Sequence, residues 1–392
     1  MPFLTRFSVS HFRNLESVNI TPAQGLNLVF GENGAGKSSL LEAIAFVSRA
    51  KSFRTNLFRR VIQHDNDSLL VFAEVSDPLN EEHSLSKLGV EKLRSGESHI
   101  RIDGETAQRA SDLAHRLPLL VLNNISFDLL GSGAKERRQF FDWLVFHVKH
   151  EFAEAWKLYN RLIKQRNSLL RHDRISYSDL EHWDIQLVKQ ASKIQELRKQ
   201  CLAPFAEVLK KYIDLCDLEI QGKDIEVRYT DGWKTDLLDQ PDTHTESDFG
   251  ENTGTQDEFM SKLKSNFDTD KKLGYTALGP HRSELKILIG RTNAGEILSR
   301  GQQKLLVAAM YLSVAEVYKQ STNKSPVILI DDLPSELDRR HQEKVGNWLK
   351  ALESQTFIAG IDLEELNKIG ELFDTKMVFH VKHGVVETAA PR

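Results

Sequence analysis

Gly25-Leu26-Asn27-Leu28-Val29-Phe30, running directly into Gly31-Glu32-Asn33-Gly34-Ala35-Gly36-Lys37-Ser38, is the stretch that decides the fold of this 392-residue chain. The first six residues read as a short apolar strand. The next eight fit GxxxxGK[ST], and the residues from Lys37 to about Val47 read as a helix. Strand, glycine loop and helix in that order form a phosphate cradle. Glycines let the backbone curl with its N–H groups inward, and the helix N-terminus adds partial positive charge. Gly31, Glu32, Asn33, Gly34, Ala35 and Gly36 are therefore expected to wrap the phosphates of ATP. Lys37 is expected to reach the β- and γ-phosphates, and the Ser38 hydroxyl to bind Mg²⁺. A P-loop alone leaves kinase, GTPase, motor and transporter-type proteins all open.

The other half of such a site lies near the C-terminal end. Val327-Ile328-Leu329-Ile330-Asp331-Asp332 is an apolar strand ending in two acids, a Walker B pattern. Asp331 is the expected second Mg²⁺ ligand, and Asp332 the group that orients or deprotonates the attacking water. Without a P-loop, the same two acids would read as caps on the turn after a buried strand. Roughly 30 residues earlier stands Leu298-Ser299-Arg300-Gly301-Gln302-Gln303, opening a long apolar-periodic helix. Ser299 is a good N-cap, Gly301 permits close backbone approach, and a helix N-terminus can face an anion. The segment resembles the ABC signature sequence, whose common form has glycine where Arg300 stands. Ser335-Glu336-Leu337-Asp338 resembles the D-loop of the same class. The ABC resemblance implies two heads sandwiching two ATPs. Ser299, Gly301 and Gln302 of one chain would then meet the nucleotide bound by Lys37 of the other. Lys37, Asp332 and Ser299 would share the catalytic work.

The chain between these blocks differs in character. Residues 3–9, 69–75 and 98–102 read as strands; 134–172 and 179–216 are glycine-free and read as mostly helical. Residues 231–258 are acidic and turn-rich, as expected of a solvated loop. Apolar strands return at 326–330 and 357–361. The expected architecture is an α/β P-loop ATPase head of ABC type, discontinuous in sequence, with a mostly helical inserted lobe. Its N-terminal core part spans 1–125, the lobe 126–272, and the C-terminal core part 273–392.

Further segments narrow the resemblance. Phe12-Arg13-Asn14 follows the first strand. Arg137-Arg138-Gln139-Phe140-Phe141-Asp142-Trp143, Lys164-Gln165-Arg166-Asn167-Ser168-Leu169-Leu170 and Gly279-Pro280-His281-Arg282 follow later. Together they resemble the RecF family of bacterial DNA-repair ATPases, relatives of the SMC and Rad50 proteins, from end to end. Roughly 260 residues separate Lys37 from Ser299, too few for long coiled-coil arms. The resemblance implies a nucleotide contact for Arg13, ATP-dependent homodimerisation, and binding at gapped or single-strand/double-strand junction DNA. It also implies slow ATP hydrolysis coupled to dimer dissociation and DNA release. Cooperation with RecR and RecO in loading RecA, within the SOS response, is implied as well. The sequence departs from the wider ABC pattern at several points. Asp332 stands where most members have Glu, as is usual in the RecF-like pattern, 117–124 holds no glutamine for a Q-loop, and Pro334 precedes the D-loop; from the RecF pattern it departs where Ser283-Glu284, not the usual acidic pair, follows the Gly-Pro-His-Arg run.

Bulk composition fits this reading. Hydrophobic residues make up 40%, charged residues 28%, and the net charge is −4, so any nucleic-acid surface must be a local basic patch. Two such patches are legible: residues 49–60 with five basic groups and no acid, and a helical stripe of Lys157, Arg161, Lys164 and Arg171 that Arg166 breaks. Cys201 and Cys216 form no CxxC pair. No apolar run reaches the roughly 18 residues of a membrane span, and the N-terminus carries no signal core, so a cytoplasmic protein is expected. One rival reading is the nucleotide-binding subunit of a membrane transporter, which calls for a Q-loop and switch histidine. A monomeric kinase or GTPase, the second rival, leaves 298–303 and 335–338 unexplained.

Overall fold

The computed structural model describes residues 2–79, 84–216, 225–233 and 256–389. The chain folds as two compact units, one made of 1–128 with 299–392 and one of 129–298. Residues 273–298, expected with the C-terminal core part, thus fall in the second unit.

The first unit holds two sheets. One is antiparallel, in the order Leu15–Ile20, Phe3–Phe12, Ser68–Ser76, Leu85–Leu93, Ser98–Ile102, Glu105–Thr106. Ser68–Ser76, in its middle, buries alternate residues. The other runs Val385–Ala389, Lys376–Lys382, Leu26–Phe30, Thr356–Gly360, Val327–Asp331, Leu119–Leu122, parallel except for the first pair. Thr356–Gly360 and Leu119–Leu122 are buried throughout, and Val327–Asp331 is buried up to Ile330. Covering both faces of a sheet makes its strands read as unbroken apolar runs, which is why the sequence displays them. The helix Lys37–Arg49 packs against strands of both sheets and is buried on nearly every side.

The second unit is helical, with Ala134–Val148, Glu151–Leu170, Glu181–Leu215, Gln256–Ser265 and Phe267–Leu273, but it also carries an antiparallel sheet. Glu284–Ile289 pairs with Ile225–Thr230 on one side and Thr292–Asn293 on the other. The stretch 134–172 is interrupted at Lys149, whose backbone is extended; no glycine or proline signals the break. Conversely, Pro204 lies inside Glu181–Leu215, where it withholds one backbone donor without ending the helix. Of the acidic stretch 231–258, residues 234–255 lie outside the described residues. Asp231 is no solvated loop residue: it is 1% exposed and accepts from the Trp233 backbone N–H at 3.0 Å. Asp257 and Glu258 lie in the first turn of Gln256–Ser265, where acids favour a helix N-terminus. Among the described residues no helix is long and apolar enough to cross a membrane.

Arg166 departs from the basic stripe because it points inward. Its Nε donates to Asp184 at 2.7 Å, and its Nη1 donates to Asp270 at 2.6 Å and to Thr276 Oγ1 at 2.9 Å. The arginine and both acids are fully buried. Arg166→Met would leave two carboxylates buried without their cation, a loss of about 3–5 kcal/mol. Calorimetry is therefore expected to show a clearly lowered melting transition for the second unit. Lys157→Met, on the exposed side of the same helix, is expected to stay within about 0.5 kcal/mol of the parent.

Candidate nucleotide site

Leu26–Phe30 delivers the glycine loop at the carboxyl edge of the parallel sheet, where open α/β sheets bind ligands. Two glycines there are required by geometry. A Cβ on Gly31 would stand 2.2 Å from the Val381 carbonyl, and Gly36, at φ 121, would press one against the Asn14 amide at 3.0 Å. Lys37 folds back into the loop, its Nζ donating to the carbonyls of Gly31 at 2.7 Å and Glu32 at 3.0 Å. Burial pulls its ammonium below the ordinary lysine range, against the opposing pull of Asp332 and Asp331. The Ser38 hydroxyl donates to Asp331 Oδ1 at 2.9 Å, joining residues 293 apart in sequence. Burial pushes the Asp331 carboxyl up, while Ser38 and Arg54 oppose that shift.

Asp332 is held differently. It takes a left-handed backbone at φ 66, and its N–H still donates to Ala359 at 3.1 Å. Such a conformation in a non-glycine residue costs on the order of 1–3 kcal/mol and clusters at functional sites. It ends the strand and starts the turn Leu333–Glu336, in whose first turn Pro334 sits without sacrificing a needed donor. The Ser335 hydroxyl donates to the Asp332 carbonyl at 3.0 Å. Glu336 pairs with Lys304 of the helix Arg300–Thr322 at 2.6 Å, and Asp338 caps Arg339–Leu352.

Ser299 caps Arg300–Thr322 in a reciprocal box. The Gln302 N–H donates to Ser299 Oγ at 3.4 Å, and the Ser299 N–H donates to Gln302 Oε1 at 2.9 Å. A Cβ on Gly301 would meet nothing within 4 Å, so the packing of this chain does not require glycine there. Among the described residues no hydrogen bond or ion pair joins Ser299, Gly301 or Gln302 to residues 31–38. The structure thus gathers 31–38, Asp331 and Asp332 into one site and sets the 299–302 loop apart.

Arg13, also at positive φ (53°), has its guanidinium on Glu42 of the P-loop helix, with Nε at 2.5 Å and Nη2 at 2.8 Å. Glu42 is fully buried and further held by Ser52 and Arg54. Sequence reading missed this carboxylate, which fits unremarked into a helical pattern. It also missed Asn14, whose amide donates to the carbonyls of Gly34 at 3.3 Å and Ala35 at 3.2 Å. The Gly384 N–H, which donates to Ala35 at 2.8 Å, was missed as well. Asn14 follows Arg13 directly, so its neighbour was the available signal. At 117–124, where no glutamine occurs, Asn123 ends the strand and caps the next turn through the Ser126 N–H at 2.9 Å.

The residues present fit a magnesium nucleotide. Ser38 and Asp331 offer hard oxygen donors beside a lysine-lined glycine loop. No group of three His, Cys, Asp or Glu side chains capable of holding a metal occurs among the described residues. Mg²⁺ is usually held by one or two protein oxygens together with phosphate and water, so two suffice.

Fold and site together define an ABC-type head of the P-loop class. The family described as RecF/RecN/SMC N terminal domain matches residues 3–385. The DNA replication and repair protein RecF of Saccharophagus degradans is 43% identical over 388 residues, covering 98% of this chain and 99% of its own. That of Teredinibacter turnerae is 42% identical over 390 residues, covering 99% and 97%. A solved structure of the recombination mediator protein RecF with ATP, in the RecFOR pathway, superposes with a TM-score of 0.82 at 24% identity. It covers 99% of this chain and 98% of that one. The Smc head domain from Pyrococcus furiosus gives a TM-score of 0.57 at 14% identity, covering 99% and 96%, a likeness of fold. The chain belongs to the RecF family, within the RecF/RecN/SMC group.

The Arg13–Glu42 pair yields a check on what braces the P-loop helix. Arg13→Leu is expected to lower the melting temperature of the first unit, because a buried carboxylate loses its bidentate partner. Adding Glu42→Leu is expected to recover most of that loss. Strictly additive effects in this double-mutant cycle would show that the pair is not coupled.

Proposed function

We propose that this chain is an ATP-dependent DNA-binding protein of replication and recombinational repair, acting in the cytoplasm as an ATP-driven homodimer with weak ATPase activity. The observation that carries the reading is the division of the motif set. Lys37, Ser38, Asp331 and Asp332 converge, while Ser299, Gly301 and Gln302 form a separate capped helix start. A helix N-terminus is an anion site, and a glycine there with open space over it admits another molecule's phosphate. A second copy of the chain supplies that phosphate. Family membership and a relative solved with ATP support the nucleotide; relatives described as DNA replication and repair proteins support the biology. RecR and RecO are the partners, with RecA loading downstream and gapped or junction DNA as the target. The support for these is the family and the RecFOR pathway to which the structural relative is ascribed. The transporter-subunit reading has no comparable support.

In this reading the loop 31–36 holds the phosphates through backbone N–H groups, and Lys37 offsets their charge. Ser38 and Asp331 hold Mg²⁺, which supplies charge neutralisation to the phosphates when bound. Asp332 accepts a proton from the attacking water as the water oxygen bonds to the γ-phosphorus and the bond to ADP breaks. An aspartate in the position usually held by glutamate has a shorter reach, in keeping with slow turnover. Arg13, clamped on Glu42, lies one residue before Asn14, and Asn14 holds the loop from outside.

Asp332→Asn is expected to keep ATP affinity and slow single-turnover hydrolysis by about 10²-fold or more. Unchanged hydrolysis would remove Asp332 from the chemistry. Ser299→Arg is expected to leave ATP binding by the isolated chain nearly intact and to abolish ATP-dependent dimerisation, read by light scattering. Mixing Ser299→Arg with Lys37→Ala places both defects in one composite site and neither in the other, so partial dimerisation and some hydrolysis are expected to return. A Ser299→Arg chain that dimerises normally would show that the signature segment does not act in trans.

A further inference from the structure

Resting on that reading, the geometry points to one face of the helix Glu151–Leu170, presenting Lys157, Arg161 and Lys164, as the surface that grips the sugar-phosphate backbone of DNA. The described lining of an open groove of about 680 Å³ on this face consists of Lys157, Asn160, Arg161, Lys164 and Gln165. Among the described residues that lining contains no acid. Several other basic residues of this chain are compensated. Arg13 and Arg54 lie on Glu42, Arg137 on Glu284, Arg166 on Asp184 and Asp270, and Arg198 on Asp142. Among the described residues Lys157, Arg161 and Lys164 have no ion-pair partner, and all three are exposed. In a chain of net charge −4, three uncompensated cations within eight residues leave a local field available to a polyanion. Seven residues of helix span about 10 Å, the axial length over which B-DNA presents about six phosphates.

The opposite side of the helix is fastened. The Tyr159 hydroxyl bonds His281 Nδ1 at 2.6 Å, and Arg166 is anchored as described above. Gly279 gives the Tyr159 hydroxyl its room, since a Cβ there would lie 2.4 Å from that oxygen. Burial holds His281 down to about 4, so near neutral pH the fastening carries no titrating charge. The Gly279-Pro280-His281-Arg282 run thus acts as a positioning device for the cationic face, which stands formed before any ligand arrives. A protein partner fits this groove less well than a nucleic acid does. Protein interfaces draw on buried aromatic and apolar anchors, whereas this lining offers cations and amides, which suit contacts that follow the backbone and ignore sequence.

The test uses the full chain with ATP, measuring affinity for a gapped duplex between about 50 and 200 mM salt. The variant is Lys157→Gln/Arg161→Gln/Lys164→Gln; the control is Lys189→Gln/Lys210→Gln, exposed positions on Glu181–Leu215. Three lost phosphate contacts are expected to make the slope of log K against log salt shallower by about 2.7, and by twice that if both protomers engage the DNA. The loss is expected to be equal on unrelated sequences, with ATP binding and melting temperature kept and the control unchanged. A triple variant that binds with the wild-type slope overturns the groove alone. So does one that keeps the slope but no longer retains polyglutamate, which would assign the face to an acidic protein. A wild-type chain without salt-dependent DNA binding overturns the wider functional reading and this inference with it.

Discussion

The seating of Leu26–Phe30 between Thr356–Gly360 and Lys376–Lys382 is the constraint on which the first unit depends. A strand from the beginning of the chain is completed only by strands from its end, in parallel register that runs from Leu26 against Thr356 to Phe30 against Gly360. That register brings Ser38 to Asp331 and gives Lys37 two carboxylates to face. Residues 129–298 are therefore a true insertion: they fold as their own unit, while the nucleotide site awaits the C-terminal strands. Parallel pairing of this kind carries a long loop closure and high contact order. The consequence is that no half of the chain owns the site.

A second constraint is electrostatic and sits one layer deeper. The P-loop helix is surrounded by sheet on both faces, so any charge on its flank is removed from water. Glu42 is such a charge, and an unpaired buried carboxylate would be costly. Arg13, Ser52 and Arg54 converge on it. The result couples three segments that border the nucleotide loop. The strained turn at Arg13 and Asn14, the basic stretch after the helix, and the helix itself are held by one carboxylate. Part of the stretch 49–60 is thereby drawn toward the P-loop helix. Arg54 lies on Glu42, and burial depresses the Arg49 guanidinium beside Tyr311.

What was legible in the sequence followed from burial pattern. Strands covered on both faces, such as Val327–Asp331 and Thr356–Gly360, show as continuous apolar runs, and the glycine loop shows because the backbone permits few alternatives there. Leu85–Leu93 was not legible: it carries lysines, a glutamate and Gly89, and its burial comes from cross-strand neighbours. Thr292–Asn293 is too short to carry a period at all. Within the site, the motif residues were visible and their supports were not. Glu42, Asn14 and Gly384 act through contacts with segments distant in sequence; beside Asn14 only Arg13 gives a signal, and nothing around Glu42 or Gly384 marks them. Asp231 was misread for the same reason, since its acidic neighbourhood hid a buried turn.

The same distinction explains Arg166. In sequence it stands within a basic run, one more cation between Lys164 and Arg171. In the structure its position on the helix turns it inward, where two aspartates from other segments receive it. Helical geometry separates the roles: residues at 157, 161 and 164 follow the i, i+4, i+7 spacing of one face, and 166 falls off it. A charge that satisfies buried partners strengthens the fold and is lost to ligands; a charge without a partner adds little to stability and keeps its field for them. Counting cations along the chain does not separate the two, and pairing does. By that criterion the free positive charge of this helix is the face of Lys157, Arg161 and Lys164, presented by a scaffold whose inward charges are already matched.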